Sequence, residues 1–196
     1  MKTYDPNDEF DEEYFEFGLF MSRREYKTIR RRLQRGREAA AKEGKCLSQA
    51  PYGYVRKKIE NDKGYTLEID PEKAKVVKMI FDWYTDGAEI NGEVKRLGIQ
   101  AISRRLNEMG IPPHRKEYWS KETIRDIIGN PTYAGLIRWG YRRQKKQMSP
   151  DGVIIRRPIT NDECIIAEGL HEAIVPREEF DKAQQLLAEV PCTGRI

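Results

Sequence analysis

The residues best suited to chemistry in this 196-residue sequence surround one short apolar repeat. Ile124, Ile127 and Ile128 recur at helical spacing after Ser120, a residue type that caps helix starts. The other side of such a helix would present four charged residues: Lys121, Glu122, Arg125 and Asp126. Arg and Lys donate hydrogen bonds to guanine in the major groove, and Ser or Thr can reach phosphates or bases. The segment therefore predicts a helix that reads DNA.

A second amphipathic segment precedes this helix and would pair with it. Residues 100–109 place Ile102, Leu106 and Met109 on one side, and Gly110 supplies a C-terminal cap. Two such helices separated by a loop predict a helix-turn-helix reader, although amphipathic helix pairs also occur in helical domains of other functions. The residues of this region that we expect to contact DNA are Arg115, Lys116, Trp119, Ser120, Lys121, Thr123 and Arg125.

A run of bases follows the reading helix. Its cations lie within and just after residues 133–142, a segment with the pattern of a β-strand. Tyr141 lies among them. Closely spaced cations suit a phosphate track beside a DNA groove, and the alternative is a solvated run of charge. The run comprises Arg138, Arg142, Arg143, Lys145 and Lys146. The candidate DNA contacts in it are Arg138, Arg142, Arg143 and Lys145.

The N-terminal part of the chain predicts one very long helix. Residues 8–43 contain no proline, and apolar or small residues recur there at helical spacing. A lone helix of this length has nothing of its own to bury that stripe against, so we expect a partner helix from another subunit. The stripe residues expected in this oligomer contact are Leu19, Tyr26, Ile29 and Leu33.

The same helix carries many bases around its apolar stripe. They are Arg23, Arg24, Lys27, Arg30, Arg31, Arg32, Arg35 and Arg37. Glu25 and Glu38 cannot neutralise them all, so a polyanion is the expected counter-charge. We therefore expect Arg30, Arg31 and Arg35 to contact DNA. The alternative is a coiled coil in which these bases meet the acids of a neighbouring subunit.

The overall composition excludes several classes of protein. Charged residues make up 35% of the chain and hydrophobic residues 38%, with a net charge of +4, so the distribution of charge matters more than its sum. No apolar run is long enough to cross a bilayer, and the acidic start is unlike a signal peptide, so we expect a cytoplasmic protein without a membrane partner. Cys46, Cys164 and Cys192 lie too far apart to indicate a disulfide framework or a zinc site.

Residues for independent catalysis are not evident in the sequence. His114 and His171 are isolated and are expected to be surface or loop residues rather than general bases. The serines lack a nucleophile context such as GxSxG, and there is neither a phosphate-binding glycine loop nor metal-ligand spacing. We therefore assign no catalytic residue, no metal ligand and no cofactor to this chain.

The remaining patterns predict a mostly helical α+β fold. Gly44 ends the long helix and a hinge follows at residues 45–51; residues 52–59 and 65–69 then form a hairpin. Asp70 caps the next helix, residues 88–98 carry no clear pattern, and a last helix follows Pro176. Extended segments at 133–142, 153–158 and 164–167 predict a small sheet or wing. The expected architecture is a long N-terminal helix followed by a helix-turn-helix or winged-helix-like domain.

Several segments, in their order and spacing, resemble the large serine recombinases, members of the resolvase–invertase superfamily. They are SRREYKTIRRRLQRGREAAAKEGK (22–45), APYGY (50–54), AISRRLNEMGI (101–111), WSKETIRDIIGNPTYAGLIRWG (119–140) and HEAIVPREEFDKAQQLL (171–187). Each segment alone is moderately specific, and together they cover nearly the whole chain. The resemblance implies three parts: residues 1–45 as the long helix that ends the catalytic domain, 46–51 as a linker, and 52–190 as the recombinase DNA-binding domain. We expect residues 191–196 to be a disordered tail, because chain ends are poorly ordered.

The resemblance also implies partners and activities. Such enzymes form dimers and tetramers through the long helix, bind double-stranded attachment-site DNA, and cut it with a serine in a preceding domain that this sequence does not contain. The long helix often carries Glu-Arg where this sequence has Glu25 and Tyr26, so no catalytic role is assigned there. Zinc is expected only in a further C-terminal domain with paired cysteines.

The sequence thus predicts the DNA-binding and oligomerising part of a site-specific recombinase of a mobile element, acting in integration or excision. A rival is a helix-turn-helix transcriptional regulator that dimerises through its long helix. APYGY after the basic helix argues against that rival. A third reading is a protein-interaction module on which the basic surface is incidental.

Overall fold

The computed structural model describes residues 8–90, 92–114, 116–149, 151–161 and 163–189. Its backbone contacts divide the chain into two units, Met1–Ala39 and Ala40–Ile196. The tail expected to be disordered, residues 191–196, lies outside the described residues. None of the helices in the described part of the chain combines the length and hydropathy that a bilayer crossing needs.

Helix α1, Glu9–Lys42, confirms the predicted long helix. Asp8 accepts a hydrogen bond from the Phe10 amide at 3.0 Å, and acids in the first turn complement the helix dipole. Nearly every described side chain of the first unit is exposed, including the apolar ones. The stability of this helix therefore depends on a contact that buries its apolar stripe.

The end of α1 is part of the second unit. Gly44 has a left-handed φ of 73°, as the predicted helix stop requires, and a Cβ there would lie 2.2 Å from the Glu168 carbonyl oxygen. Cys46 is buried, and its amide donates to the Tyr65 carbonyl at 2.7 Å. Lys45 is also buried and forms ion pairs with nearby acids. Because Lys45 and Cys46 are packed and bonded, the start of the predicted hinge is a fixed part of this unit.

The predicted hairpin and the helix after it are confirmed. Strands β1, Tyr54–Lys58, and β2, Tyr65–Ile69, pair in antiparallel register. Helix α2, Pro71–Thr85, begins as expected, because the Asp70 side chain accepts a hydrogen bond from the backbone amide two residues after Pro71. The segment without a sequence prediction forms a second, short hairpin of β3, Ala88–Ile90, and β4, Glu93–Lys95.

The two helices expected at the reading site are also present. Helix α3 spans Ile99–Glu108 and helix α4 spans Lys121–Ile128, and α4 is followed by a 3₁₀ turn, Pro131–Ala134. Helix α5, Arg177–Glu189, confirms the last predicted helix. Buried side chains from α2, α3, α4 and α5 share one core.

The extended segments after α4 form two separate ladders. Strand β5, Leu136–Trp139, pairs with β8, Ile165–Glu168. Strands β6, Arg142–Met148, and β7, Ile154–Thr160, form a long hairpin inserted between them. Every ladder in the described residues has two strands, so the expected single small sheet is corrected to a short ladder and a projecting hairpin.

Aromatic residues join distant segments at the centre of the core. Tyr133 is 1% exposed, and its hydroxyl donates to the Tyr52 carbonyl at 2.8 Å. The Tyr54 hydroxyl donates to the Glu172 carbonyl at 2.9 Å and accepts from the Ile174 amide at 3.2 Å. Burial raises the pKa of both tyrosines above the ordinary value, so both remain neutral donors.

His171 packs into the same cluster. It is 8% exposed, its ring meets Tyr54 edge-on at 5.3 Å, and its Nε2 lies 2.8 Å from the Thr132 carbonyl oxygen. The expectation of a surface histidine is therefore wrong, although the residue does lie in a loop. Burial lowers the pKa of His171 below its ordinary value, while the hydrogen bond to Thr132 acts in the opposite direction.

The depressed pKa of His171 predicts a stability loss in weak acid. Below the ordinary His pKa of 6.5 the unfolded chain takes up a proton that the folded chain resists, so the stabilising contribution is lost as pH falls toward the folded pKa. The free energy of unfolding should decrease between about pH 7.5 and pH 5.5, and His171→Asn should reduce that slope. Urea titrations at several pH values measure it; equal slopes for both proteins would contradict the prediction.

Candidate nucleic-acid interface

Helix α4 is held by its apolar side against the core. Ile124 and Ile128 are fully buried, and they pack in one cluster with Ile102 and Leu106 of α3. An isolated helix of eight residues is unstable in water, so this packing is what maintains α4. Residues 109–120 connect the two helices, a longer link than the three- or four-residue turn of a helix-turn-helix motif.

Hydrogen bonds order the link between α3 and α4. The Asn107 side-chain Nδ2 donates to the Trp119 carbonyl at 3.0 Å, and the Trp119 backbone amide donates to Asn107 Oδ1 at 2.7 Å. The Trp119 indole donates to the Ile111 carbonyl at 2.8 Å, and its ring meets Tyr52 edge-on at 5.1 Å. These contacts set the point from which α4 starts.

Trp119 therefore has a different role from the one expected. Its side chain is 2% exposed and belongs to the core cluster, so it cannot stack on a base or touch a phosphate. The expectation that it contacts DNA is corrected, because the indole is used to position α4. Arg115, expected beside it, lies outside the described residues.

The start of α4 brings together the expected hydroxyls and two lysines. Ser120 Oγ accepts from the Thr123 amide at 3.4 Å, lies 3.1 Å from the Thr123 hydroxyl, and receives Lys116 Nζ at 3.4 Å. Ser120 is thus the N-cap, as predicted. Lys116 and Lys121 are exposed at this end, where the backbone amides also favour an anion.

The exposed side of α4 carries the four expected charges. Lys121 Nζ lies 3.9 Å from Glu122 Oε1. Asp126 Oδ1 accepts a hydrogen bond from the Arg142 guanidinium at 3.1 Å. The pKa of Glu122 is lowered, chiefly because its carboxylate accepts a hydrogen bond from its own backbone N–H. Arg125 is exposed on the same face. This face therefore offers guanidinium and ammonium donors that acids on the same surface partly balance.

A groove opens beside the end of α4. It has a volume of about 430 Å³ and is lined in part by Ser48, Asn130, Arg138 and Arg142. Arg138 is half-buried with its guanidinium 3.9 Å over the Tyr141 ring, and burial lowers its pKa. The Tyr141 ring restrains the Arg138 guanidinium, so the N–H donors of Arg138 are positioned in the lining of the groove.

Most of the basic run lies on the β6–β7 hairpin, while Arg138 lies on β5. Arg142, Arg143 and Lys145 are exposed on β6, as the expected track requires. Lys146, also part of that run, is exposed on the same strand. Two residues of β7, Arg156 and Arg157, were missing from the predicted contacts. The signal that could have found them is the SPDG turn at 149–152, which folds one basic segment back on the other.

The first unit carries the other expected residues. Arg30, Arg31 and Arg35 are exposed on α1. The stripe residues Leu19, Tyr26, Ile29 and Leu33 are 51%, 65%, 51% and 59% exposed. Leu19, Tyr26 and Leu33 are spaced by seven residues, which is the repeat of a coiled-coil seam.

The exposed cations of the site are hydrogen-bond donors suited to an anion. Cys46 is buried and Cys164 is half-buried, and both are free thiols. Within the residues that the structure describes, no three His, Cys, Asp or Glu side chains are grouped closely enough to hold a metal ion.

Comparisons with known proteins place the chain in a family context. A family model described as Recombinase matches residues 71–190, which is more than half of the chain. A protein of Bacillus subtilis (strain 168) described as "Putative DNA recombinase" is 30% identical over 173 residues. That alignment covers 82% of this chain and 31% of the relative, so the chain spans about a third of that protein's length.

Two solved structures share the fold at low sequence identity. One is described as "Crystal Structure of a LSR-DNA Complex"; it is 19% identical with a TM-score of 0.50, covering 81% of this chain and 38% of the other. The second is described as "Sequence Requirements of the Listeria innocua prophage attP site"; it is also 19% identical, with a TM-score of 0.52 and coverages of 81% and 52%. At this identity the likeness establishes the fold.

Neighbouring aromatic residues test the positioning role of Trp119. Trp119→Ala should lower the free energy of unfolding by about 3 to 5 kcal/mol, because a buried aromatic side chain leaves a cavity. Tyr118 is 62% exposed, so Tyr118→Ala is a matched control that should change it by less than about 0.5 kcal/mol. Urea unfolding of both variants measures the difference. Similar losses at the two positions would mean that Trp119 is not a core residue.

Proposed function

Because the chain belongs to the Recombinase family, we propose that it is the DNA-binding and oligomerising part of a site-specific serine recombinase. Its task is to recognise attachment-site DNA for strand exchange during integration or excision of a mobile element. The observation that carries the proposal is the exposed face of α4 beside the basic β6 strand, joined by the Arg142–Asp126 ion pair at 3.1 Å.

In this proposal α4 reads the major groove. Eight residues form a helix about 12 Å long, which suits the width of that groove. Arg125 is the side chain best placed to donate two hydrogen bonds to guanine, and Lys121 lies on the same face near the helix start. Ser120 and Thr123 already bond to each other in the cap, so they hold the helix start rather than read bases.

The basic track supplies affinity without sequence preference. Arg143 and Lys145 are exposed on β6, and Arg138 lies at the edge of the groove beside α4. Cations of this kind bind phosphates and release counterions, so the affinity should fall steeply with salt. Phosphate contacts of this sort orient a protein on DNA while base contacts select the site.

Helix α1 has two roles in the same proposal. Its heptad-spaced stripe, with Ile29 between Tyr26 and Leu33, pairs with the same helix of other subunits in dimers and tetramers. Its flanking bases, among them Arg30 and Arg31, lie along the DNA backbone. Residues 46–51 act as the linker between this helix and the DNA-binding domain at 52–190, and the first of them, Cys46, is anchored in the core of that domain.

Two arginine variants separate reading from phosphate binding. Arg125→Ala should relax sequence preference at one or two base pairs, with a loss of about 1 to 3 kcal/mol on the preferred site. Arg143→Ala should weaken binding to all sequences and reduce the slope of log affinity against log salt by about 1. Titrations of a preferred and a scrambled duplex measure both quantities. Equal effects of the two variants on the two duplexes would refute the division of roles.

The preferred duplex comes from selection on randomised DNA followed by sequencing, at two salt concentrations. An asymmetric motif longer than one helical turn supports a recombinase half-site reader. A short symmetric motif would favour a dimeric transcriptional regulator instead. No motif at all would overturn the proposal and leave a basic protein-interaction module.

The apolar stripe of α1 predicts self-association. Ile29→Gln should shift a dimer to monomer at micromolar concentration, because it removes apolar area from the centre of the stripe. Arg31→Gln is the control on the opposite side of the helix, since two residues turn the helix by about 200°. Sedimentation without DNA at high salt measures both variants. The same oligomeric state for Ile29→Gln and the original chain would exclude the stripe as the contact.

A further inference from the structure

The β6–β7 hairpin projects from the domain as an exposed ribbon. Its ladder runs from Arg142 opposite Thr160 to Met148 opposite Ile154, and all of its side chains are exposed. Strands of seven residues extend about 24 Å, which exceeds the width of a DNA major groove by about a factor of two. An isolated two-stranded hairpin is marginally stable in water, so contact with a partner would stabilise this ribbon.

The ribbon carries cations on both of its faces. Lys145 pairs with Arg157 across the ladder, and Lys146 pairs with Arg156. Successive residues of a strand point to opposite faces of the ribbon. Each face therefore holds one cross-strand pair of positive charges. Neither strand contains an acid, and like charges directly opposite one another are destabilising. The arrangement fits a slot with negative charge on both walls.

The tip of the ribbon is apolar. Met148, Val153 and Ile154 are 73%, 62% and 61% exposed. The turn beneath them is closed, because the Ser149 amide donates to the Val153 carbonyl at 2.8 Å and the Gly152 amide donates to the Ser149 carbonyl at 2.9 Å. Apolar side chains at the end of a cationic arm are unusual on a surface that meets only water.

The base of the ribbon is attached to the reading helix. Arg142 donates to Asp126 on α4 at 3.1 Å. The Asn161 amide donates to the Tyr141 carbonyl at 2.8 Å, and its side chain donates to the Gly140 carbonyl at 3.2 Å, so both strands are joined where they leave the domain. The arm therefore starts beside the face of α4 that carries the base-reading donors.

We propose that the hairpin is a DNA arm that crosses the phosphate backbone and inserts its apolar tip into the minor groove next to the major groove occupied by α4. This inference rests on the proposed function of α4. The two cationic faces contact the phosphates on either wall of the groove, and the tip unstacks one base step and bends the duplex. A minor groove of B-DNA is about 6 Å wide, so it must open to admit a ribbon with side chains on both faces.

The proposal adds a source of sequence preference that makes no base hydrogen bonds. Pyrimidine–purine steps are the easiest to unstack and kink, so such a step is expected where the tip enters. It should lie at a fixed distance from the bases that Arg125 recognises, because the base of the arm is bonded to α4.

Two double variants test the arm on the duplex obtained by selection. The tip variant is Met148→Ser with Ile154→Ser, a cross-strand pair, and the shaft variant is Lys145→Gln with Arg157→Gln. Bending is measured by energy transfer between dyes at the duplex ends, and unstacking by the fluorescence of 2-aminopurine placed at successive steps. Thermal unfolding followed by circular dichroism checks that both variants fold.

The original chain should bend the duplex and raise 2-aminopurine fluorescence at one step outside the bases read by α4. The tip variant should lose both signals and keep the same salt slope, with a several-fold loss of affinity. The shaft variant should lower the salt slope by about 2, since each phosphate contact contributes about 0.9.

Three outcomes would contradict the proposal that the hairpin is a DNA arm. They are unchanged bending and fluorescence in the tip variant, a straight duplex with the original chain, and loss of self-association by the tip variant in sedimentation without loss of bending. The last outcome would identify the tip as a protein contact. Failure of the proposed function is distinguishable, because the original chain would then recover no motif in the selection, whatever the hairpin does.

Discussion

Two buried tyrosine hydroxyls impose the constraint on which the domain depends. Tyr133 donates to the Tyr52 carbonyl at 2.8 Å, and Tyr54 donates to the Glu172 carbonyl at 2.9 Å. A buried hydroxyl without a partner costs about 1 to 3 kcal/mol, so the segments that supply these carbonyls must stay together. Tyr133 lies just after α4, and Tyr54 begins β1. The same hydrogen bonds therefore fix the end of the reading helix relative to the start of the first hairpin.

This constraint divides the domain into a rigid reader and a projecting arm. Helix α4 is too short to be stable alone, and it is held by Ile124, Ile128 and the Trp119 hydrogen bonds. The β6–β7 hairpin buries nothing of its own and is attached through its base. A rigid helix suits base recognition, which needs fixed geometry, whereas an exposed ribbon suits a surface that orders it on binding.

The segments that carry the family resemblance are largely structural. In APYGY, Tyr52 and Tyr54 are buried, and Gly53 has a φ of 91° with a Cβ position 3.0 Å from both Val77 and Ile174. In NPTYAG, Asn130 caps the turn in which Tyr133 lies. Such motifs identify the fold because they build the core. They leave the choice of DNA site to exposed residues, which the core does not restrict.

The sequence alone determined the elements whose signals are local. The long helix, the β1–β2 hairpin, the Asp70 and Ser120 caps and the Gly44 stop depend on neighbours within a few residues, and all are confirmed. Tertiary structure decided the fate of Trp119 and His171, which looked available and are buried, and it brought Arg156 and Arg157 opposite the β6 lysines. Burial and cross-strand pairing join residues far apart in the chain, and no local pattern encodes those contacts.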